Sequence, residues 1–198
     1  MSVEPQTRAT ILAAAKAALL ETGYASLSTR KISETAGVPL SQIHYHFGSK
    51  QKLVLEVLEE ENRQLLDRQT RMYGEDVPLS KQWEQACDFL DDDLESGYVR
   101  VLQEMVAAGW SNEEIAVAVR EDLRGWADLL TAVAGRASRQ LGALGPFTSS
   151  EVATLVALCF LGAEAMILLG MDEEAMPSRT ALRRIGELLR GLEDADAG

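Results

Sequence analysis

Side chains able to read DNA bases lie close together between Leu40 and Phe47. The Gln42 amide can pair with adenine, the Ser41 hydroxyl can donate or accept a hydrogen bond, and Leu40 can contact a thymine methyl group. The other side chains of this stretch that can face a groove are those of His44, Tyr45 and His46. Because no Arg or Lys occurs here, the bidentate contact of Arg with guanine is unavailable. We therefore expect phosphate contacts and DNA shape to supply much of the affinity.

Several residues in the same region can contact the DNA backbone. Hydroxyl groups, basic side chains and helix N-termini are the usual phosphate ligands. Our candidates for phosphate contact are Thr29, Arg30, Tyr45, His46 and Lys50. His44 and His46 are two positions apart, so on a helix they face away from each other and we expect no metal site.

The residues around these side chains predict two short helices joined by a tight turn. Ser28 can cap the first helix, and Gly37 can end it in the left-handed conformation. Pro39 suits the first position of the second helix, which runs to Phe47 with Ile43 on the same face. Two short helices, a glycine turn and a polar outer face predict a helix-turn-helix, whose second helix fits the major groove of DNA.

The remainder of the chain shows apolar residues at helical spacing and no alternation with a period of two. The predicted helices outside the turn region are 7–22, 50–72, 80–94, 98–108, 112–141, 149–170 and 178–192. We therefore predict an all-α chain of about nine helices, in which a long helix joins a DNA-binding head to a helical body.

The first quarter of the chain resembles the tetracycline-repressor (TetR) family of bacterial regulators. The resemblance rests on Arg8-x-x-Ile11-Leu12-x-Ala14-Ala15, Gly23-Tyr24, Arg30-x-Ile32, Ala36-Gly37-Val38 and Tyr45-His46-Phe47-x-Ser49-Lys50. It implies a helix-turn-helix DNA-binding domain over residues 1–50 and a helical ligand-binding and dimerisation domain over residues 51–198. The family contacts DNA from the positions that match Thr29, Arg30, Leu40, Ser41, Gln42, His44, Tyr45, His46 and Lys50.

Two positions depart from the family pattern. Leu40 stands where a polar or basic residue is often found, and Pro39 stands where Ser is usual. These departures leave the operator sequence open and the expected mode of binding unchanged.

The body contains more bulky apolar side chains than the packing of two helices needs. Met and Trp suit the lining of an apolar cavity, and in TetR regulators the central helices of the body hold the inducer. Our candidates for the ligand site are Phe89, Met105, Trp110, Trp126 and Leu130, each with an ordinary place in the core as the alternative. No Arg or Lys cluster occurs in the middle of the body, so we expect an apolar or amphipathic ligand.

Residues 152–171 are apolar nearly all round, which places such a helix in a core or at an interface. The segment is long enough to cross a bilayer. Glu164 lies within it and its flanks lack a basic anchor, so a buried or interface helix is the better interpretation. In TetR regulators the last two helices form a four-helix dimer interface. Our candidates for this interface are Leu161, Ala165, Leu168, Leu182, Ile185 and Leu189.

Charge is divided unevenly along the 198 residues, whose net charge is −12. Residues 1–52 hold six basic and three acidic side chains, a net charge of +3, which leaves −15 for the rest. A basic head on an acidic body suits a protein that contacts phosphates at one end.

The remaining patterns bear on compartment and activity. Cys87 and Cys159 form no paired motif, and the start of the chain lacks a signal-peptide pattern, so we expect a cytoplasmic protein away from membranes. No nucleophile elbow, P-loop or dinucleotide fingerprint occurs, so we expect neither an enzyme nor a cofactor. We predict a homodimeric repressor that binds a palindromic operator and is released by a small molecule. One alternative is a helical ligand-binding or adaptor protein without DNA binding. The other is an enzyme that uses the pocket of the body, which would need convergent polar groups that the sequence does not show.

Overall fold

The computed structural model describes residues 3–142 and 145–196 of the chain. Every regular element in these ranges is an α-helix. In chain order the helices are α1 (Val3–Ser26), α2 (Thr29–Ala36), α3 (Leu40–Phe47), α4 (Lys50–Tyr73), α5 (Leu79–Ser96), α6 (Tyr98–Gly109), α7 (Glu113–Gln140), α8 (Ser149–Leu168) and α9 (Ser178–Asp196). The described ranges therefore confirm the predicted all-α fold of nine helices.

The ends of α2 and α3 follow from the residues beside them. The Ser28 hydroxyl accepts a hydrogen bond from the Lys31 backbone N–H at 3.2 Å, as expected of an N-cap. At the other end Gly37 has φ 66°, a left-handed conformation that glycine adopts without steric cost. Pro39 is the N-cap of α3, with ψ 144°, and the helix starts at Leu40. The prediction that Pro39 is the first helical residue is therefore wrong by one position.

Helix α1 is longer than predicted and contains a kink. Gly23 has φ 72° and ψ 163°, so the helical conformation is interrupted there before the helix ends at Ser26. The interruption follows directly after the predicted helix 7–22, although the helical segment continues beyond it to Ser26.

The chain divides into two compact units, and the first holds the described residues up to Gln64 together with Gly97–Asp122. Within it α2 packs on α1, and α3 packs on α2. Its core contains fully buried side chains from six helices, namely Ile11, Leu19, Ile32, Ile43, Leu53, Leu58, Val99, Val101, Met105 and Ile115. Burial of one such side chain contributes roughly 1.5–3 kcal/mol, so this core holds α2 and α3 in a defined orientation.

Helices α1 and α6 approach closely in this unit. Gly97 precedes α6 with φ 82°, and a Cβ atom there would lie 2.6 Å from Leu20 Cδ1 of α1. The left-handed backbone favours glycine at this position, and a side chain there would also require Leu20 to move.

The second unit holds Leu65–Ser96 and the described part of Leu123–Gly198. Helix α5 packs along α9, and α8 contacts both. The acidic segment of α5 is partly neutralised inside this unit. Asp91 forms ion pairs with Arg179 at 2.8 Å and Arg183 at 3.2 Å, and Asp93 accepts two hydrogen bonds from Arg68 at 2.7 and 2.8 Å.

Candidate functional site

Helix α3 turns a polar and aromatic face away from the core of the first unit. Ile43 and Phe47 are buried and attach the helix to the other elements. Leu40, Ser41, His44 and Tyr45 are exposed, whereas Gln42 and His46 are half-buried. The six predicted groove-facing residues therefore share one helix, and most of their side chains can be reached from solvent.

Two of the candidate DNA contacts hold carboxylates in this structure. The Tyr45 hydroxyl donates to Glu4 Oε1 at 3.0 Å, a bond that raises the pKa of Tyr45. Arg30 Nε donates to Glu34 Oε1 at 3.2 Å within α2. Both pairs are exposed, so water competes for these contacts and they add little to stability. A phosphate group can therefore replace either carboxylate at little cost.

The Lys50 side chain makes two contacts with Tyr24 within the first unit. Its Nζ donates to the Tyr24 carbonyl oxygen at 3.0 Å and lies 4.4 Å from the centroid of the Tyr24 ring. The Tyr24 backbone N–H in turn donates to Glu104 Oε2 at 3.1 Å, and Arg100 Nε donates to Glu104 Oε1 at 2.9 Å. Beside the interruption at Gly23, the Tyr24 backbone N–H thus binds Glu104 of α6 and the Tyr24 carbonyl oxygen binds Lys50 of α4. Lys50, which we expect to contact phosphate, therefore also has a structural role in this unit.

The two histidines of α3 serve local contacts. His44 Nδ1 lies 3.2 Å from the Gly48 carbonyl oxygen, and the His46 ring packs edge-on against Tyr45 at 5.1 Å. Within residues 3–142 and 145–196 no group of three His, Cys, Asp or Glu side chains is placed to hold a metal ion.

The second unit contains an apolar cavity of about 280 Å³ that is partly open to solvent. Helices α5, α7, α8 and α9 line it, together with Tyr73 at the end of α4. The lining residues are Tyr73, Leu79, Gln82, Trp83, Leu130, Val133, Ala134, Ala137, Leu141, Val152, Ala153, Leu155, Val156, Cys159, Ile185, Leu189 and Leu192. A volume of this size, bounded almost wholly by carbon atoms, can take a small apolar molecule.

The predicted ligand residues are divided between different environments. Leu130 lines the cavity, and Trp126 lines a neighbouring enclosed space of about 30 Å³ that also borders Leu130. Phe89 is half-buried with the Arg68 guanidinium 4.2 Å above its ring. Met105 is fully buried in the core of the first unit, and Trp110 is 84% exposed at the end of α6. The structure brings Trp126 and Leu130 together and leaves Met105 and Trp110 apart from the cavity.

Sequence reasoning placed Phe89 of α5 in the ligand site but missed the residues by which α5 lines the cavity. Leu79, Gln82 and Trp83 line it, and Trp83 is also fixed by donating from Nε1 to the Leu182 carbonyl oxygen at 2.7 Å. The spacing of four residues between Leu79 and Trp83 was the available signal, since such residues share a helix face. It does not distinguish a cavity wall from ordinary packing.

Helices α8 and α9 leave an apolar surface uncovered within the second unit. We call this surface the leucine face. Its members, each between 49% and 74% exposed, are Leu155, Leu158, Leu169, Leu188 and Leu192. Of the predicted interface residues, Leu182 is buried, Leu161, Ala165, Ile185 and Leu189 are half-buried, and Leu168 is exposed. Ile185 and Leu189 also line the cavity.

Residues 11–57 match the model of one protein family, described as bacterial regulatory proteins, tetR family. The match spans the kinked α1, the helix-turn-helix and the start of α4. No curated protein matches the chain.

Solved structures resemble the chain over nearly its whole length. A TetR-family transcriptional regulator from Agrobacterium tumefaciens is 20% identical, with a TM-score of 0.79, and the match covers 94% of this chain and 97% of that one. The regulator FadR from Bacillus subtilis, solved with stearoyl-CoA, is 15% identical with a TM-score of 0.76 over 91% and 96%. A proposed regulator from Saccharomonospora viridis, solved with choline, is 19% identical with a TM-score of 0.77 over 92% and 96%. At these identities the likeness concerns the fold.

Proposed function

We propose that this chain, whose residues 11–57 match the model of the tetR family of bacterial regulatory proteins, is a ligand-responsive transcription regulator. It binds a palindromic DNA operator as a homodimer, represses transcription there, and is released by a small apolar or amphipathic molecule. The observation that carries this proposal is the exposed polar and aromatic face of α3, within a helix-turn-helix whose orientation is fixed by buried Ile32, Ile43 and Phe47.

In the proposed complex α3 lies in the major groove. Gln42 and Ser41 contact base edges, and the exposed Leu40 contacts a thymine methyl group. The phosphate contacts come from Thr29, Arg30, Tyr45, His46 and Lys50. Charge and groove shape supply much of the affinity, because α3 carries no Arg or Lys.

The proposed dimer forms through α8 and α9. By length and composition α8 could span a membrane, and 22% of its most apolar 18-residue stretch is buried. The exposed leucine face is not confined to α8, because it also includes residues of α9. An exposed apolar surface shared by two helices is typical of a protein–protein interface. A two-fold dimer also presents two copies of α3 to a palindrome, as helix-turn-helix proteins do.

The proposed effector binds in the 280 Å³ cavity. Related structures were solved with stearoyl-CoA in one case and choline in another, which supports a small-molecule effector without identifying it. Helices α4 and α7 each continue from the first unit into the second. A ligand bound in the second unit changes DNA binding only by its differential affinity for the two states of the protein. On this proposal the protein acts in the cytoplasm as a regulator and not as an enzyme.

The proposed function is tested by selecting random duplex DNA with the purified protein at two salt concentrations. Enrichment of a palindrome is the expected result, with binding that weakens steeply as salt rises. Absence of binding at low salt would instead support a helical ligand-binding protein that does not bind DNA.

A further inference from the structure

The cavity of the second unit contains one buried amide in an otherwise apolar wall. Gln82 is 4% exposed and lines the cavity. Its Nε2 donates to the Glu75 carbonyl oxygen at 3.0 Å. A carbonyl oxygen can only accept a hydrogen bond, so the orientation of the amide is fixed, with NH₂ toward Glu75 and Oε1 on the other side.

The Gln82 Oε1 atom is left without a protein donor among the described residues. Among the described residues, the side-chain polar atom that is both unpaired and sealed from solvent is Arg68 Nε. The Gln82 Oε1 atom, which is also unpaired, is therefore not sealed from solvent. Since Oε1 is unpaired but not sealed from solvent, and Gln82 lines the cavity, we place this acceptor at the cavity wall. A ligand that donates to it replaces water at an acceptor set in a mostly apolar wall.

The other polar groups of the wall are neutral or already used. Trp83 Nε1 donates to the Leu182 carbonyl oxygen at 2.7 Å. Burial raises the pKa of Tyr73 to about 12, so its phenol is uncharged at neutral pH. None of the described residues that line the cavity carries a charge. An ionised ligand group placed inside would lose its hydration without gaining a partner.

From these contacts we infer that the part of the effector inside the cavity is an uncharged apolar skeleton with one hydrogen-bond donor, such as a hydroxyl, which binds Gln82 Oε1. This inference rests on the proposed function, because it names the ligand class of the proposed effector site. An apolar protein cavity of about 150 Å³ holds one benzene, so a cavity of about 280 Å³ suits a two-ring molecule or a chain of comparable size.

Equilibrium dialysis of the full-length protein against three matched probes tests the inference. The probes are 2-naphthol, which carries the donor, naphthalene, which lacks it, and 2-naphthoate, which is charged. Substitution of Gln82→Leu removes the acceptor at similar volume. Gln69→Leu is the matched control, since Gln69 is equally buried in the same unit and accepts from Trp126 Nε1 at 2.9 Å but does not line this cavity.

We expect Gln82→Leu to lower the affinity for 2-naphthol by about threefold to tenfold and to leave naphthalene unaffected. Gln69→Leu should leave both affinities unchanged, and 2-naphthoate should bind the wild-type protein at least about tenfold more weakly than 2-naphthol. Equal effects of Gln82→Leu on both neutral probes, or no effect on either, would overturn the inference. So would binding of 2-naphthoate as tight as that of 2-naphthol.

A comparison that needs no variant guards against a folding defect in Gln82→Leu. In 2-methoxynaphthalene the oxygen is retained and the donor hydrogen is lost, so the wild-type protein should bind it more weakly than 2-naphthol. Equal affinities would contradict the proposed bond.

If naphthalene binds and the affinity of no probe depends on Gln82, the proposed effector cavity is supported and this inference fails. If no probe binds, the effector site of the proposed function fails as well.

Discussion

Substitutions at Arg30 and Gln42 test two different contributions to DNA binding, phosphate contact and base recognition. Arg30 is exposed at the start of α2 and forms an ion pair with Glu34, whereas Gln42 is half-buried on the outer face of α3. The variant Arg30→Ala should therefore weaken binding to every duplex and lower the slope of the salt dependence by about one. Gln42→Ala should cost about 1–3 kcal/mol of discrimination at one base position and affect other duplexes little.

Fluorescence anisotropy with a panel of duplexes at several salt concentrations distinguishes the two effects. Lys50→Ala should resemble Arg30→Ala in its effect on DNA and, unlike it, should also lower the melting temperature, because Lys50 holds the Tyr24 carbonyl oxygen. A uniform loss of binding by Gln42→Ala across all duplexes would show that Gln42 does not read bases.

Asp122 makes the stability of the first unit depend on pH. Its carboxylate accepts from Asn62 Nδ2 at 3.0 Å, but burial outweighs that bond and raises the pKa of Asp122 to about 6, with Glu59 and Glu121 adding to the rise. An unfolded Asp has a pKa of about 3.9, so the folded state binds more protons between these values. Stability from this group is therefore present at low pH and lost as pH rises from about 4 to about 6.

The variant Asp122→Asn should raise the melting temperature at pH 7.5 and bring a smaller gain at pH 5. The amide keeps an acceptor for Asn62 and carries no charge to bury. Thermal unfolding followed by circular dichroism measures both values, with the exposed Asp128→Asn as a control expected to show no pH-dependent gain. A gain of equal size at both pH values would contradict the assigned cause.

At the scale of elements, the contact of α1 with α6 depends on Gly97. Gly97→Ala should destabilise the protein by about 1–3 kcal/mol, because a left-handed backbone and a contact 2.6 Å from Leu20 Cδ1 both oppose a side chain there. Gly191→Ala is the control, since a Cβ at this position in α9 meets nothing within 4 Å and alanine favours a helix by about 0.5–1 kcal/mol. Urea denaturation compares the two, and equal stabilities would exclude a close packing of α1 and α6.

The helices could be predicted because their signals are local. Ser28, Gly37 and Thr148 mark helix ends by chemistry that acts over three or four residues, and the structure shows each as a cap. The cavity could not be predicted in the same way, because its wall is assembled from four helices distant in sequence. Trp110 falls between two predicted helices and Trp126 within one, but only the structure shows that the first is 84% exposed and that the second packs edge-on against Phe160.

At the scale of the whole molecule, the leucine face should govern assembly. Leu158 is 60% exposed on α8 and is not among the residues that line the cavity, so Leu158→Glu should abolish the dimer without replacing a residue of the cavity wall. Val117→Glu is the matched control, because Val117 is also an exposed aliphatic residue, 41% on α7. Sedimentation velocity should give a monomer for the first variant and a dimer for the second. Two dimeric variants would mean that the leucine face is not the interface.

Native mass spectrometry of the wild-type protein with the enriched duplex tests the dimeric DNA-binding regulator most directly. We expect a complex of two protomers on one palindromic duplex, stable at low salt and lost at high salt, and weaker binding to a single half-site. A lone protomer on the palindrome, or no complex at low salt, would contradict the proposal that a dimer reads the operator with two copies of α3.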